Sequence, residues 1–160
     1  MLTAEWSDQL LRFFRRLLDF YQKFLALEQK KYSILLSGKL EQLDGCMKTE
    51  QAFVLKARGL ERKRQSLLTA AGADQHSFRE LIGQTVPPRQ AEMQEVYQKL
   101  AAVFAAVRRE NKKCNTMAQI KLGYVSRVLS QVSHQSKMKQ IYGKDLQPTG
   151  KPEGPFSRKV

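Results

Sequence analysis

From Arg89 to Tyr142 the sequence runs for 54 residues without a proline and with a single glycine, Gly123. A run of that length without a breaker reads as one continuous helix, because an interior proline costs a helix about 3 kcal/mol and a glycine about 1 kcal/mol relative to alanine. Pro87 and Pro88 stand where such a helix opens. Proline suits the first turn, since the amide it lacks has no intrahelical partner there. Apolar side chains recur at Val96 and Tyr97, Leu100, Phe104, Val107, Cys114, Ala118, Leu122, Val125, Leu129 and Val132, in steps of three and four that hold one stripe to one side. Asn111 interrupts the stripe amid Arg108, Arg109, Lys112 and Lys113, so a polar, basic belt separates two apolar halves. At about 1.5 Å per residue the helix would be roughly 70 to 80 Å long, more than the width of a compact domain of this size. A rod is the expectation.

Two further helices precede it. Thr3 can cap a first helix from Ala4 to about Ser37, its hydroxyl accepting a free amide of the opening turn. Trp6, Leu10, Phe13, Phe14, Leu17, Tyr21, Phe24 and Leu35 form its stripe. The aromatic density exceeds what a two-helix seam needs, so this end is expected to pack against two helices, with a partner-binding patch as the alternative. Gly38 ends the helix in the left-handed conformation. A second helix follows from Leu40 to about Ala71, with Leu40, Leu43, Met47, Val54, Ala57, Leu60, Leu67 and Leu68 expected to face inward. The short connection makes the two helices an antiparallel hairpin. Between Ala71 and Pro88, Ser77 and Glu80 have capping-box spacing, so a short helix carrying Phe78, Leu81 and Ile82 is expected to tuck against an end of the hairpin. The fold class is thus all-α: an elongated antiparallel bundle of three long helices with coiled-coil-like packing, plus a short helix before the last. Residues 1–142 read as one domain. Residues 143–160, rich in glycine and proline, read as a disordered tail.

Composition narrows the function. Basic residues exceed acidic ones by 13, which raises nucleic-acid binding as a possibility to test. The excess is spread along the chain, with six basic and four acidic groups in residues 1–37, seven and four in residues 38–71, and ten and three in residues 89–142. No helix-turn-helix, zinc or zipper context accompanies it, nor aromatics interleaved with basic residues as a single-strand binder needs. A solvated basic surface is the simpler reading. No apolar run is long enough to span a membrane, and the first residues carry acids and no cleavage site, so a cytoplasmic protein is expected. Cys46 and Cys114 lie on separate helices without metal-ligand spacing and read as reduced packing residues. His76 and His134 have no second ligand nearby and read as exposed. No phosphate loop, HExxH, CxxC or Gly-x-Ser-x-Gly is present. No catalytic residue, metal or cofactor is expected, and the chain reads as a binding protein.

The order of elements carries a resemblance. A leader helix, LLSGKLEQLDGCMKTEQAFVLKARGLERKRQSLL over residues 35–68, a proline-opened long helix with RRENKKCNTMAQIKLGYVSRVL over 108–129, and IYGKD at 141–145 together resemble the FlgN family of flagellar export chaperones across almost the whole chain. In that family the Leu-Leu-x-Gly turn commonly continues with an acidic residue. Here Lys39 stands in its place, which removes a helix-capping side chain. The resemblance implies a chaperone that covers the amphipathic terminal helices of hook-filament junction proteins and delivers them to the export gate, with Tyr142 as a gate contact. Tyr142 is equally readable as an ordinary helix-end aromatic.

A site follows from lengths. The two hairpin helices, of about 33 residues each, reach roughly 50 Å and cannot cover the longer last helix. Its first half, with Val96, Leu100, Phe104 and Val107, follows the Pro87-Pro88 turn and is the partner of the hairpin. The second half leaves Leu122, Val125, Leu129 and Val132 without cover, as a cargo-binding stripe. Homodimerisation through the same stripe, as a helical scaffold, is the rival. The apolar steps from Leu100 through Asn111 to Leu122 sum to two elevens, a spacing that does not favour the left-handed supercoil of sustained heptads.

Overall fold

The computed structural model describes the backbone of residues 2–144 and the side chains of residues 2–139. Of the tail expected over residues 143–160, Gly143 and Lys144 instead belong to the last helix, and the rest, like the side chain of Tyr142, lies outside the described residues. Among the described residues the secondary structure is entirely helical. Helix α1 spans Ala4–Ser37, α2 Leu43–Ala70, α3 Phe78–Gln84 and α4 Pro87–Lys144. By its internal contacts the chain divides into two units, residues 1–115 and residues 116–160.

Local chemistry accounts for the helix ends. The Trp6 amide donates to Thr3 Oγ1 at 3.2 Å. Gly38 closes α1 with φ 74°, its amide donating to the Ile34 carbonyl, a conformation that costs glycine nothing for want of a Cβ. Lys39 then offers no side-chain cap, and residues Leu40–Gln42 form a single 3-10 turn before α2 begins. The second helix thus starts at Leu43 rather than Leu40. In α3 the capping box is complete: the Ser77 amide donates to Glu80 Oε2 at 2.6 Å, and the Glu80 amide donates to Ser77 Oγ at 3.3 Å.

In the first unit α1 and α2 are antiparallel, and α1 and the first part of α4 run parallel, as up-down-up connectivity requires. Lys31 Nζ meets Glu50 at 2.7 Å near one end of the hairpin, and Phe20 stacks on Phe53 at 5.4 Å further along. Against α4 the order rises on both sides: Asp8 with Arg89 at 2.6 Å, Arg15 with Glu92 at 2.6 Å, Tyr21 with Phe104 at 4.5 Å between centroids. The aromatic end of α1 therefore packs on two long helices as expected, and Phe14 also meets Phe78 of α3 at 4.1 Å. The core joins Leu10, Phe14, Phe20, Leu60, Leu68, Leu81, Met93, Val96, Leu100 and Val103.

Along α2, Leu60 and Leu68 are buried and Ala57 and Leu67 pack against the core as expected, but the first half of the helix turns a different face inward. Leu40, Met47 and Val54 are exposed, whereas Cys46 is buried and Glu50 and Phe53 are partly buried. The helix turns a carboxylate inward at Glu50 to meet Lys31, and Cys46 and Phe53 follow from it at spacings of four and three. His76 is half-buried, with its Nδ1 enclosed and without a partner, so the expectation of a fully exposed histidine fails for it; His134 is exposed.

Candidate functional site

The first unit contains a buried polar cluster where α1, α2 and α4 meet. Glu28 on α1 is 0% exposed, and neither of its carboxyl oxygens meets a donor at hydrogen-bonding geometry. Its nearest cation is Lys31 Nζ at 3.8 Å, which itself donates to Glu50 at 2.7 Å. Asn111 and Cys114 approach from α4, and the Cys114 thiol donates to the Glu28 backbone carbonyl at 3.4 Å. Burial, together with the neighbouring Glu50, pushes the Glu28 carboxyl up to about 7 against the Lys31 charge. Glu50 moves the other way: burial opposes ionisation there, but Glu28 and Lys31 together outweigh it. Of the two carboxyls, Glu28 therefore holds a proton more readily than Glu50 does. Burial, aided by the Glu28 charge, lifts the Cys114 thiol to about 11, and burial raises Cys46 as well. Both thiols are free and buried. The belt at Asn111 is therefore more than solvated surface, since Asn111 itself joins this cluster.

Two hollows lie in the same unit. One, of about 340 Å³, is walled by Phe14, Tyr21, Phe78, Tyr97 and Phe104, with the Glu61–Arg64 ion pair at its edge. The other, of about 530 Å³, follows the α1–α2 seam over Phe20 and Phe53 and is rimmed by Arg15, Arg16, Lys23 and Lys56. Neither wall carries a nucleophile paired with a base. Among the described residues no group of three His, Cys, Asp or Glu side chains could hold a metal ion, and no helix is long and apolar enough to cross a membrane.

The second unit, as far as it is described, is the continuation of α4. Its apolar side chains lie in solvent: Leu122 is 67% exposed, Val125 42%, Leu129 60% and Val132 51%. Ile120, Tyr124 and Val128 are exposed beside them. All four residues read as a cargo stripe are thus uncovered and share one side of the helix at spacings of three and four. Tyr142 falls within the span of α4, and its side chain is outside the described residues. Reading the sequence alone missed the buried cluster. The one available signal was the apolar phase of α1, which places Glu28 in line with Leu17, Tyr21 and Phe24, an inward position for a charge.

Comparison with known proteins gives this geometry a setting. No curated protein and no solved structure matches the chain. A family model described as FlgN protein matches residues 1–150, which takes in the hairpin, α3, all of α4 and the apolar stripe on it. The chain belongs to the FlgN family of flagellar export chaperones.

Proposed function

We propose that this chain is a cytoplasmic chaperone that binds the amphipathic terminal helices of hook-filament junction proteins through Leu122, Val125, Leu129 and Val132, keeps them from assembling early, and passes them to the export gate. Residues 1–142 act together as its chaperone domain. The observation that carries the reading is the exposure of those four side chains together on one side of α4. A cargo helix laid along the stripe would bury them in the helix-in-groove mode. Each leucine so covered contributes up to roughly 1.5 to 3 kcal/mol, so two of them account for orders of magnitude in affinity. Tyr142, near the end of α4, is assigned to the export gate, where a ring with a polar tip suits a transient contact.

The test is a titration of the full chain with a hook-filament junction protein. Leu122→Asp combined with Leu129→Asp should keep the helical signal of the wild type and lose binding. A variant that stays folded and binds at full affinity overturns the assignment. If the wild type instead forms a dimer that the junction protein does not dissociate, the stripe serves self-association. Tyr142→Ala should weaken binding to the export-gate component while leaving cargo affinity unchanged; equal effects on both remove Tyr142 from the site.

A further inference from the structure

From Thr116 to Lys139 the sequence carries Lys121, Arg127, Lys137 and Lys139 and no aspartate or glutamate. The apolar surface on this stretch is also wider than one seam. Ile120 and Leu122 are 56% and 67% exposed, and residues two apart on a helix point about 200° from each other. A helix packed on one side covers an arc of about 100°. A single partner helix cannot reach both.

Lys121 lies between them in the chain and projects, at about 100° from each, along the middle of this arc. It is already half-buried by its neighbours. Whatever covers the arc takes its ammonium out of water, which is costly unless an opposite charge meets it. A second copy of this stretch has no carboxylate to offer and would add four more positive charges, and like charges facing across an interface repel.

We propose that the arc centred on Lys121 receives an acidic helical hairpin: two amphipathic helices that flank the arc, with a carboxylate placed to pair with Lys121. This deepens the cargo reading and rests on it for the location of the surface. The pairing fixes the register of the hairpin along the helix, while the apolar residues on either side supply most of the buried area. Arg127 and Lys137, further round the helix, favour acidic residues on the hairpin's outer edges and speed encounter.

The experiment titrates the full chain with three probes: a synthetic hairpin of two Leu/Glu helices of about 25 residues each, one of those helices alone, and a hook-filament junction protein. Lys121→Met and Lys121→Glu are compared with the wild type, since both residues are at home in a helix and neither should alter helicity. The acidic hairpin should bind the wild type at least about tenfold more tightly than the single helix does. Lys121→Met should weaken it at least about thirtyfold, because a carboxylate is left unpaired, and Lys121→Glu should weaken it further. Raising salt from about 0.1 to about 0.5 M should reduce the difference. Equal or tighter binding by Lys121→Met, or equal binding of hairpin and single helix, overturns the proposal. A junction protein that binds the stripe but ignores Lys121 leaves the cargo reading standing and sinks this one. A junction protein that fails to bind, while the hairpin behaves as described, does the reverse.

Discussion

Glu28 is the residue whose surroundings are most at odds with its charge. A carboxylate enclosed by Lys31, Glu50, Cys46, Asn111 and Cys114 cannot keep its full negative charge cheaply, and burial raises it to about 7. Its proton is held more tightly in the folded chain than in the unfolded one. Stability from this group is therefore fully present below the unfolded value of roughly 4.3 and is lost as pH rises toward 7. Glu50, lowered, works in the opposite sense and at lower pH, where its contribution disappears on acidification. Glu28→Gln keeps the shape and removes the charge. The variant should melt at a higher temperature than the wild type at pH 7.5, and the gap should shrink at pH 5.5; a melting temperature lower than wild type at both values would show that the charge is needed for the fold. The same enclosure governs the thiols. Cys46 and Cys114, both raised by burial, should resist alkylation in native buffer and react fully in denaturant, where thiolates form and are reachable. Rapid labelling of either in the folded protein would show that this part of the bundle opens readily. These residues were hard to read in the sequence because charge at an inner helical position looks like a solvated face until its counter-charge is known. Lys31 and Glu50 are 19 positions apart and meet only once the hairpin has closed.

At the scale of the element, helix ends were legible and helix faces less so. Thr3, Gly38, Ser77 with Glu80, and Pro87 each act through neighbours within a few residues, and each does in the structure what its chemistry requires. The face of α2 is decided elsewhere. Its apolar residues Met47, Val54 and Leu55 are exposed, while the α1 side chains opposite call for Phe53 and Glu50. Periodicity alone cannot choose between two apolar phases on a helix as mixed as this one. Two glycines in the hairpin give a matched test of what local conformation contributes. Gly59 sits within α2 with no atom within 4 Å of where a Cβ would be, so Gly59→Ala should stabilise the chain by about 0.5 to 1 kcal/mol through a less flexible unfolded state. Gly38 has equal room but φ 74°, so Gly38→Ala should destabilise it by about 1 kcal/mol or more. Chemical denaturation of the two variants should give shifts of opposite sign. Shifts of the same sign would mean that room, and not backbone conformation, sets the outcome.

On the scale of the molecule, one helix carries both a core and a free surface. Leu100 is 3% exposed and Leu122 is 67% exposed, and both stand on α4. The hairpin that covers Leu100 comes from the first 70 residues of the chain, and the aromatic side chains of α1 fill the space around it. That much follows from lengths and periodicities in the sequence. What the sequence could not supply was the width of the uncovered surface, because Ile120, Tyr124 and Val128 fall off the stripe that steps of three and four define, and only their exposure adds them to it. A matched pair of substitutions separates core from surface. Leu100→Ala removes buried methyl groups from a packed site and should cost about 2 to 5 kcal/mol. Leu122→Ala removes the same groups from a side chain in solvent, and away from the core such changes stay within about 0.5 kcal/mol. Denaturant midpoints of the two variants should therefore part widely, with Leu100→Ala shifted and Leu122→Ala close to the wild type. If the chain self-associates through the stripe, Leu122→Ala would instead lose stability in step with dilution, because a partner copy would have been holding that side chain all along. Equal losses in both variants, independent of concentration, would show that Leu122 is covered by this chain itself, and the uncovered stripe would cease to be the place where a partner binds.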